Sequence, residues 1–500
     1  MLRRTLALIV LATAAIGFGG ATATAEAAPS RLIILHTNDT HSHLSPYDKK
    51  DLKSIGGIAR RATIIKKEQA QQAGRVLVLD GGDCFQGTPI FNFFHGEAEF
   101  AAMDAAGYDA VTVGNHDLDD GLLNLQRVYK GRKFKLINTN LVDDQTGKPL
   151  FVPSWLVERS GLKVGVFGIL GEGSAWHAIA AAQRKGLKVL PAVPVAQKAV
   201  ADLKARGADF IVMMSHSGLE EDKRLAAEVP GIHVIVGGHS HTKVDAPIAV
   251  KSGDWTTLVL QAYQWGEYLG RLELEVDGGK IVSSNGYLVP IAGDTPEDAG
   301  VAKIVEGYES QIRDRMAKVI GQAPRGLSVD GKYDRDCELG NWATDLLRAR
   351  TNADVAILNS GGLRAPINPG PVRVADVFTV FPFENRIVRV DMTGAQLKQV
   401  LDMVASKRVS MLQVSGLSFR IDGGQIADLS VGGGPLDPGK TYRITTIDYI
   451  AQGNDKYTPF TEAKGYEDMG VLLRDFVLDG IKGNPTLEPP ADRRIQLGSR

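Results

Sequence analysis

Two cysteines in 500 residues, Cys84 and Cys337, are too few and too far apart for a disulfide framework. Both are expected to be free thiols, with Cys84 packed beside Asp83. Net charge is nearly absent: 57 Lys and Arg against 58 Asp and Glu leave −1. A nucleic-acid polymer needs a basic surplus on its partner and is therefore excluded as the main one, although a local basic cluster for a small anion is not. Long apolar runs are missing too. The single candidate, MLRRTLALIVLATAAIGFGGATATAEAAPS at the start, is short and diluted by Ala, Thr and Gly. Its cationic start, apolar stretch and small residues from Ala23 to Ala28 read as a secretory signal peptide over residues 1–28, not an anchor. No cysteine follows that region to carry a lipid, and the ending RRIQLGSR offers no tail for a glycolipid anchor. The expectation is an exported protein, periplasmic or extracellular, without a stable membrane anchor, and a monomer or weak dimer.

Against these absences stand five segments of one design. RLIILHTNDTH (31–41), RVLVLDGGD (75–83), DAVTVGNHD (109–117), DFIVMMSHSG (209–218) and IHVIVGGHSH (232–241) are apolar, mostly β-branched runs that stop at Asp, His and Asn. Such runs are strands buried on both faces, and α/β proteins place their sites at the carboxyl ends of those strands. Helical stretches at 56–73, 98–107 and 193–207 alternate with the strands, which indicates an α/β fold over residues 30–293. Residues 256–291 read instead as antiparallel strands turning at Asp277-Gly278-Gly279.

Five hundred residues exceed one core, so two domains are expected. Thr295-Pro296-Glu297-Asp298 reads as a helix start, and Val301, Ile304, Val305, Tyr308, Ile312, Met316 and Val319 follow at helical spacing. Residues 294–321 are thus expected to form a connector helix, and 322–500 a second α/β domain with a helix at 337–350 and a strand at 354–362.

Asp39 and His41, Asp83, Asn115, His216, His239 and His241 form a set of carboxylates, imidazoles and an amide. That set suits Zn²⁺, Mn²⁺ or Fe rather than Ca²⁺ or an iron–sulfur cluster. Each motif alone is weak; five in order, using five of the ten histidines, are not. His95, His177 and His233 are expected to be structural. His36 is expected to pack or hydrogen-bond, and His43 is left open.

The ordered set D-x-H, GGD, GNHD, SHSG, GHSH resembles the calcineurin-like metallophosphoesterases. LHTNDTHSH and GGDCFQGTP resemble more narrowly the secreted 5′-nucleotidase / UDP-sugar hydrolase / 2′,3′-cyclic-nucleotide phosphodiesterase family. The resemblance implies a four-layer α/β/β/α metal domain and a C-terminal substrate-binding domain. It implies two divalent ions, one held by Asp39, His41, Asp83 and His241, the other by Asp83, Asn115, His216 and His239, with Asp83 shared. It makes His116 the residue that contacts phosphate or the leaving oxygen and Asp119 its orienting partner, with Asp117 ranked behind. In the second domain NSGGLR resembles a family motif, implying that Asn359 contacts nucleoside and Arg364 binds phosphate. Phe383 and Asn385 of FPFEN, with Tyr457 of GNDKY, match the base pocket, Phe383 and Tyr457 stacking the base between them. Arg335 is a further cationic candidate and Arg386 a weaker one. Two departures concern this pocket: Glu384 replaces a glycine, and Lys456 interrupts a glycine-rich loop. The implied activity is phosphate release from nucleoside 5′-monophosphates, with UDP-sugars or nucleotide anhydrides as further substrates. The alternatives are a 2′,3′-cyclic-nucleotide phosphodiesterase/3′-nucleotidase, a sulfur-oxidation thiosulfonate hydrolase, and a non-catalytic secreted binding protein.

Overall fold

A computed structural model describes residues 29–49 and 52–498. The expected signal peptide lies outside the described residues.

Two six-stranded mixed sheets build the N-terminal domain. The first runs Lys280–Pro290, Tyr268–Asp277, Ser30–Thr37, Val76–Asp80, Ala110–Thr112, Lys135–Ile137; the second runs Ile248–Ser252, Trp255–Leu260, Val234–Val236, Phe210–His216, Leu162–Leu170, Ser154–Arg159. Strand alternation divides the side chains. Leu32 and Ile34 meet Val212, Met214, Val234 and Val236 between the sheets. Ile33 and Leu35 point the other way, against Ile58, Ala62 and Phe100 of the helices Ile58–Gln71 and Glu97–Ala106. Ile211, Met213 and Ile235 meet Ala196, Leu203 and Leu225 of the helices Ala192–Ala205 and Leu219–Glu228. The layers are therefore helix, sheet, sheet, helix, and burial of both strand faces explains the uninterrupted apolar runs. Three motif-bearing strands belong to the first sheet and two, Phe210–His216 and Val234–Val236, to the second.

Residues 256–291 depart in part from expectation. Tyr268–Asp277 and Lys280–Pro290 do pair antiparallel around Gly278 and Gly279, at φ +53° and +72°. Trp255–Leu260 instead joins the second sheet, parallel to Val234–Val236. The connector is also not one helix. It divides into Ala299–Glu309 and Arg313–Ala317, and the strand Val319–Ala323 follows. The cap is Asp298 rather than Thr295, its carboxylate accepting from Val301 N at 3.0 Å and from Lys66 Nζ at 2.8 Å. Gln311 N and Ile312 N bond three residues back, to Tyr308 O and Glu309 O, and this tighter turn breaks the helix while keeping Ile312 and Met316 in the core.

The C-terminal domain centres on a five-stranded sheet ordered Leu412–Ser415, Val355–Asn359, Thr441–Ile447, Arg386–Thr393, Lys464–Leu472. The helix expected at 337–350 is Glu338–Thr351, and Arg386–Thr393 feeds the helix Gly394–Ala405 through a Thr393/Gln396 capping box. Both cysteines are buried and free. No helix among the described residues is long and apolar enough to cross a membrane.

Candidate metal centre and interdomain cleft

Between the two sheets' carboxyl ends, the seven expected ligand residues converge. His41 Nε2 lies 3.0 Å from His241 Nε2, and His241 Nε2 lies 3.3 Å from Asp39 Oδ1. His216 Nε2 lies 3.1 Å from both Asp83 Oδ2 and Asn115 Oδ1, and His239 Nδ1 lies 2.9 Å from Asn115 Oδ1. Asp83 Oδ2 is also 3.8 Å from His41 Nε2, so one carboxylate oxygen faces both groups. Asp39, His41 and His241 form one cluster able to hold an ion; Asp83, His216 and His239 form another.

The donor chemistry fits cations. His41 Nδ1 donates to the carbonyl oxygens of Phe85 and Gln86, at 3.1 and 3.0 Å, and His216 Nδ1 donates to Gly81 O at 2.8 Å. Each Nε2 then faces other acceptors, an arrangement that needs a positive charge among them, either a metal ion or a proton; against its burial, Asp83 raises the His216 imidazole to about 10 when no metal lies between them. Burial keeps His41 well below the ordinary imidazole range and His239 down at about 3. Neutral imidazoles are the form that ligates metal.

The backbone is bent to make this possible. Asp39, His41, Asp83, His239 and His241 all have φ between +47° and +76°, a region that costs non-glycine residues energy and that clusters at functional sites. Gly114 is required by proximity: a Cβ there would lie 2.2 Å from Asp83 Oδ1. Asp117 has a structural task. Its carboxylate accepts from the N–H groups of Gly114, Asp83, Cys84 and Phe85, at 2.7, 3.0, 2.9 and 3.2 Å, and so fixes the loop that presents Asp83. His116 stands at the edge of the cluster, its ring 5.3 Å from that of His41. Its Nδ1 donates to Asp119 Oδ2 at 2.8 Å, and Asp119 also accepts from Gln86 Nε2 at 3.1 Å. Burial opposes protonation of His116, but Asp119 and Asp83 outweigh it and raise the imidazole above its usual range.

The cluster opens into a cleft of about 1470 Å³ between the domains, whose other wall includes Asn359, Arg364, Phe383, Asn385, Tyr449 and Asp455. Arg364 Nη2 reaches to 3.3 Å from His41 Nε2. Asn359 is buried, and its Oδ1 has no hydrogen-bond partner.

Three expectations fail here. Tyr457 is fully buried and donates to Ser410 O at 2.9 Å, so it is a core residue. The cleft aromatic is Tyr449, on the short helix Asp448–Ala451; Gly453, Asp455 and Lys456, all at positive φ, then turn the chain so that Tyr457 points inward. Arg335 is exposed and off the cleft, because the chain reverses at Gly331 and folds Arg335 back over it; Lys332 lines the cleft instead. Arg386 is engaged in an ion pair with Asp468 at 2.7 Å. Sequence reading also missed Asp455, although its place inside GNDKY marked the loop. Among the remaining histidines, His43 stacks on Trp265 at 4.6 Å, His36 packs over Gly270, and His233 bonds Ile211 N and Gly279 O. His177 bonds Gly173 O, and His95 pairs with Asp120 at 2.6 Å.

Residues 32–243 match the family model of the calcineurin-like phosphoesterases, and residues 318–462 that of the 5′-nucleotidase C-terminal domain. A 5′-nucleotidase of Vibrio cholerae is 28% identical over 510 residues, spanning 92% of this chain and 91% of that protein. The crystal structure of a 5′-nucleotidase precursor from Thermus thermophilus superposes with a TM-score of 0.87 at 32% identity, covering 94% of this chain and 100% of that one. A sulfate thiohydrolase of the Thermus genus superposes at 0.82 over 94% of this chain and 97% of its own, but at 18% identity, a likeness of fold alone.

Proposed function

The chain belongs to the calcineurin-like phosphoesterases that carry a 5′-nucleotidase C-terminal domain, a family of metal-dependent phosphoric ester hydrolases, and on that premise we propose that it is an exported 5′-nucleotidase, releasing phosphate from nucleoside 5′-monophosphates. The observation that carries this reading is the cleft itself, which sets the Asp/His/Asn cluster on one wall against the Arg364 guanidinium and aromatic and polar side chains on the other.

Asp39, His41, Asp83, Asn115, His216, His239 and His241 would hold two divalent ions, with Asp83 shared; the donor set suits Zn²⁺, Mn²⁺ or Fe. When bound, such ions make water nucleophilic at neutral pH and neutralise charge on the transferred phosphoryl group. The chain's own residues do the rest. Arg364 presents its guanidinium beside His41 and binds a phosphoryl oxygen through charge-assisted hydrogen bonds. His116, fixed by Asp119, turns Nε2 toward the leaving oxygen and supplies its proton. Phe383 and Tyr449 sandwich the base. Asn359 Oδ1 and Asp455 accept the ribose hydroxyls, which gives the buried, unpartnered amide oxygen a donor. Asn385 borders the base edge.

Phosphate release from AMP, 3′-AMP, 2′,3′-cyclic AMP, UDP-glucose and ATP, with and without a chelator, tests the reading. AMP should be turned over only with metal present. Activity that survives complete chelation, or turnover of 3′-AMP and cyclic AMP without AMP, would overturn it.

A further inference from the structure

Ser174 holds the outward edge of a metal-facing histidine. His239 Nδ1 lies 2.9 Å from Asn115 Oδ1, inside the cluster, and its Nε2 lies 2.9 Å from Ser174 Oγ. An ion bound at Nδ1 takes the lone pair there and leaves the ring proton on Nε2, where the hydroxyl oxygen accepts it. His41 and His216 rest their outward nitrogens on the carbonyl oxygens of Phe85, Gln86 and Gly81, all in the loop after the strand Val76–Asp80. His239 rests instead on an exposed side chain of the five-residue helix Ser174–Ala178.

That helix is gripped by both domains. Ahead of it, Gly171 N donates to His216 O at 3.0 Å, and Trp176 N donates back to Gly171 O at 3.0 Å. At its other end Ala178 O lies 3.1 Å from Tyr449 OH, and Ala181 N donates to Asn454 Oδ1 at 3.0 Å. Asn454 Nδ2 donates in turn to Tyr449 O at 2.9 Å, so the two grips from the C-terminal domain move as one. A single short helix thus joins the wall proposed for the base to a candidate metal ligand. A hydrogen bond that is good at 2.9 Å is lost beyond about 3.5 Å, so a small shift of this helix is enough to free the imidazole.

We propose that Ser174 is a positioning residue for the ion that faces Asp83, Asn115, His216 and His239, and that the C-terminal domain's grip on its helix makes the hold on that ion depend on domain closure. By linkage, an ion held better in the closed form also favours closure. This rests on the two-ion reading above and not on the choice of substrate.

The test titrates Mn²⁺ into the metal-stripped full chain by calorimetry. S174A should bind one of the two ions roughly tenfold to hundredfold more weakly, and S174T, which keeps the hydroxyl, should stay within about threefold of wild type. Y449F and N454A should each weaken the same ion about twofold to tenfold, the loss of one hydrogen bond. Y449F added to S174A should cost nothing further, because its effect passes through the hydroxyl. S174G reads the same quantity should S174A lower the melting temperature. A wild type that binds fewer than two ions overturns the two-ion reading and this inference together. Wild-type affinity in S174A, or a loss shared equally by both ions, overturns the inference alone. So do wild-type affinity in both Y449F and N454A and additive losses in the double variant.

Discussion

Phe383 of the C-terminal domain stacks on His116 of the metal domain, with ring centroids 5.5 Å apart and planes 27° apart. The wall proposed for the base and the histidine proposed for the leaving oxygen thus touch across the domain boundary. The same boundary is tied by Asn92 Nδ2 to Pro382 O at 2.7 Å, Ala181 N to Asn454 Oδ1 at 3.0 Å, and Tyr449 OH to Ala178 O at 3.1 Å. Both walls of the proposed base site, Phe383 and Tyr449, are thus held against the metal domain, so turnover should require the domains to part and close again.

Locking this arrangement therefore tests the coupling. Cysteines introduced at 181 and 454 and joined by a cross-linker should remove most turnover while metal content stays unchanged, and reduction of a cleavable linker should restore the rate. The native cysteines are buried and should not compete for the linker. Full activity in the cross-linked protein would separate catalysis from domain motion.

His116→Ala should keep bound metal, measured by elemental analysis, and lose about 10²–10⁴ in kcat, the usual contribution of a positioned acid or base. Asp119→Asn, which loosens the ring without removing it, should cost about 10–100-fold. Loss of metal from His116→Ala would reassign it as a ligand.

Asp83→Ala and Asp117→Ala should fail differently. The first removes the carboxylate that faces both clusters and should reduce bound metal from two ions toward none, with modest loss of fold stability. The second leaves four buried N–H groups without their acceptor. It should cost several kcal/mol of stability, on the order of 1–3 for each donor left unpaired. Metal titration and chemical denaturation read the two effects separately.

Tyr449→Ala should raise KM for AMP by roughly tenfold to hundredfold, since stacking on one base contributes about 1–3 kcal/mol. Tyr457→Phe should leave KM unchanged and cost only about 1 kcal/mol of stability, the hydrogen bond to Ser410 O. The reverse pattern would return the base to Tyr457.

Glu99 gives a stability prediction with a definite sign. Burial pushes its carboxyl up to about 7, against the hydrogen bond from Ser42 Oγ. A native pKa above the unfolded value of 4.5 means the neutral acid's stabilisation is complete below 4.5 and is lost as pH rises through 7. The loss is on the order of 3 kcal/mol. Glu99→Gln should flatten the decline between pH 5 and 8 and be the more stable protein at pH 8, as read by urea unfolding of the two proteins in parallel.

The strands that carry the metal-binding motifs were legible in the sequence because local chemistry dictates them. A β-branched run buried on both faces has one conformation open to it, and Asp, His and Asn just past its end fall at the sheet's carboxyl rim. The turn at Gly278-Gly279 was legible for the same reason, since it is decided within four residues. What the tertiary structure alone decided depends on how distant pieces meet. Trp255–Leu260 joined the second sheet because parallel pairing with Val234–Val236 buries it, a partner choice that periodicity does not encode. Tyr449 and Tyr457 are the same residue type eight positions apart, and only the left-handed turn at Gly453, Asp455 and Lys456 sends one to the cleft and the other to the core. Lys332 and Arg335 are divided in the same way by the reversal at Gly331. The sequence by itself determined the chemistry of the metal cluster; the wall it faces was decided by chain reversals and domain contact, where burial rather than residue type selects the side chain.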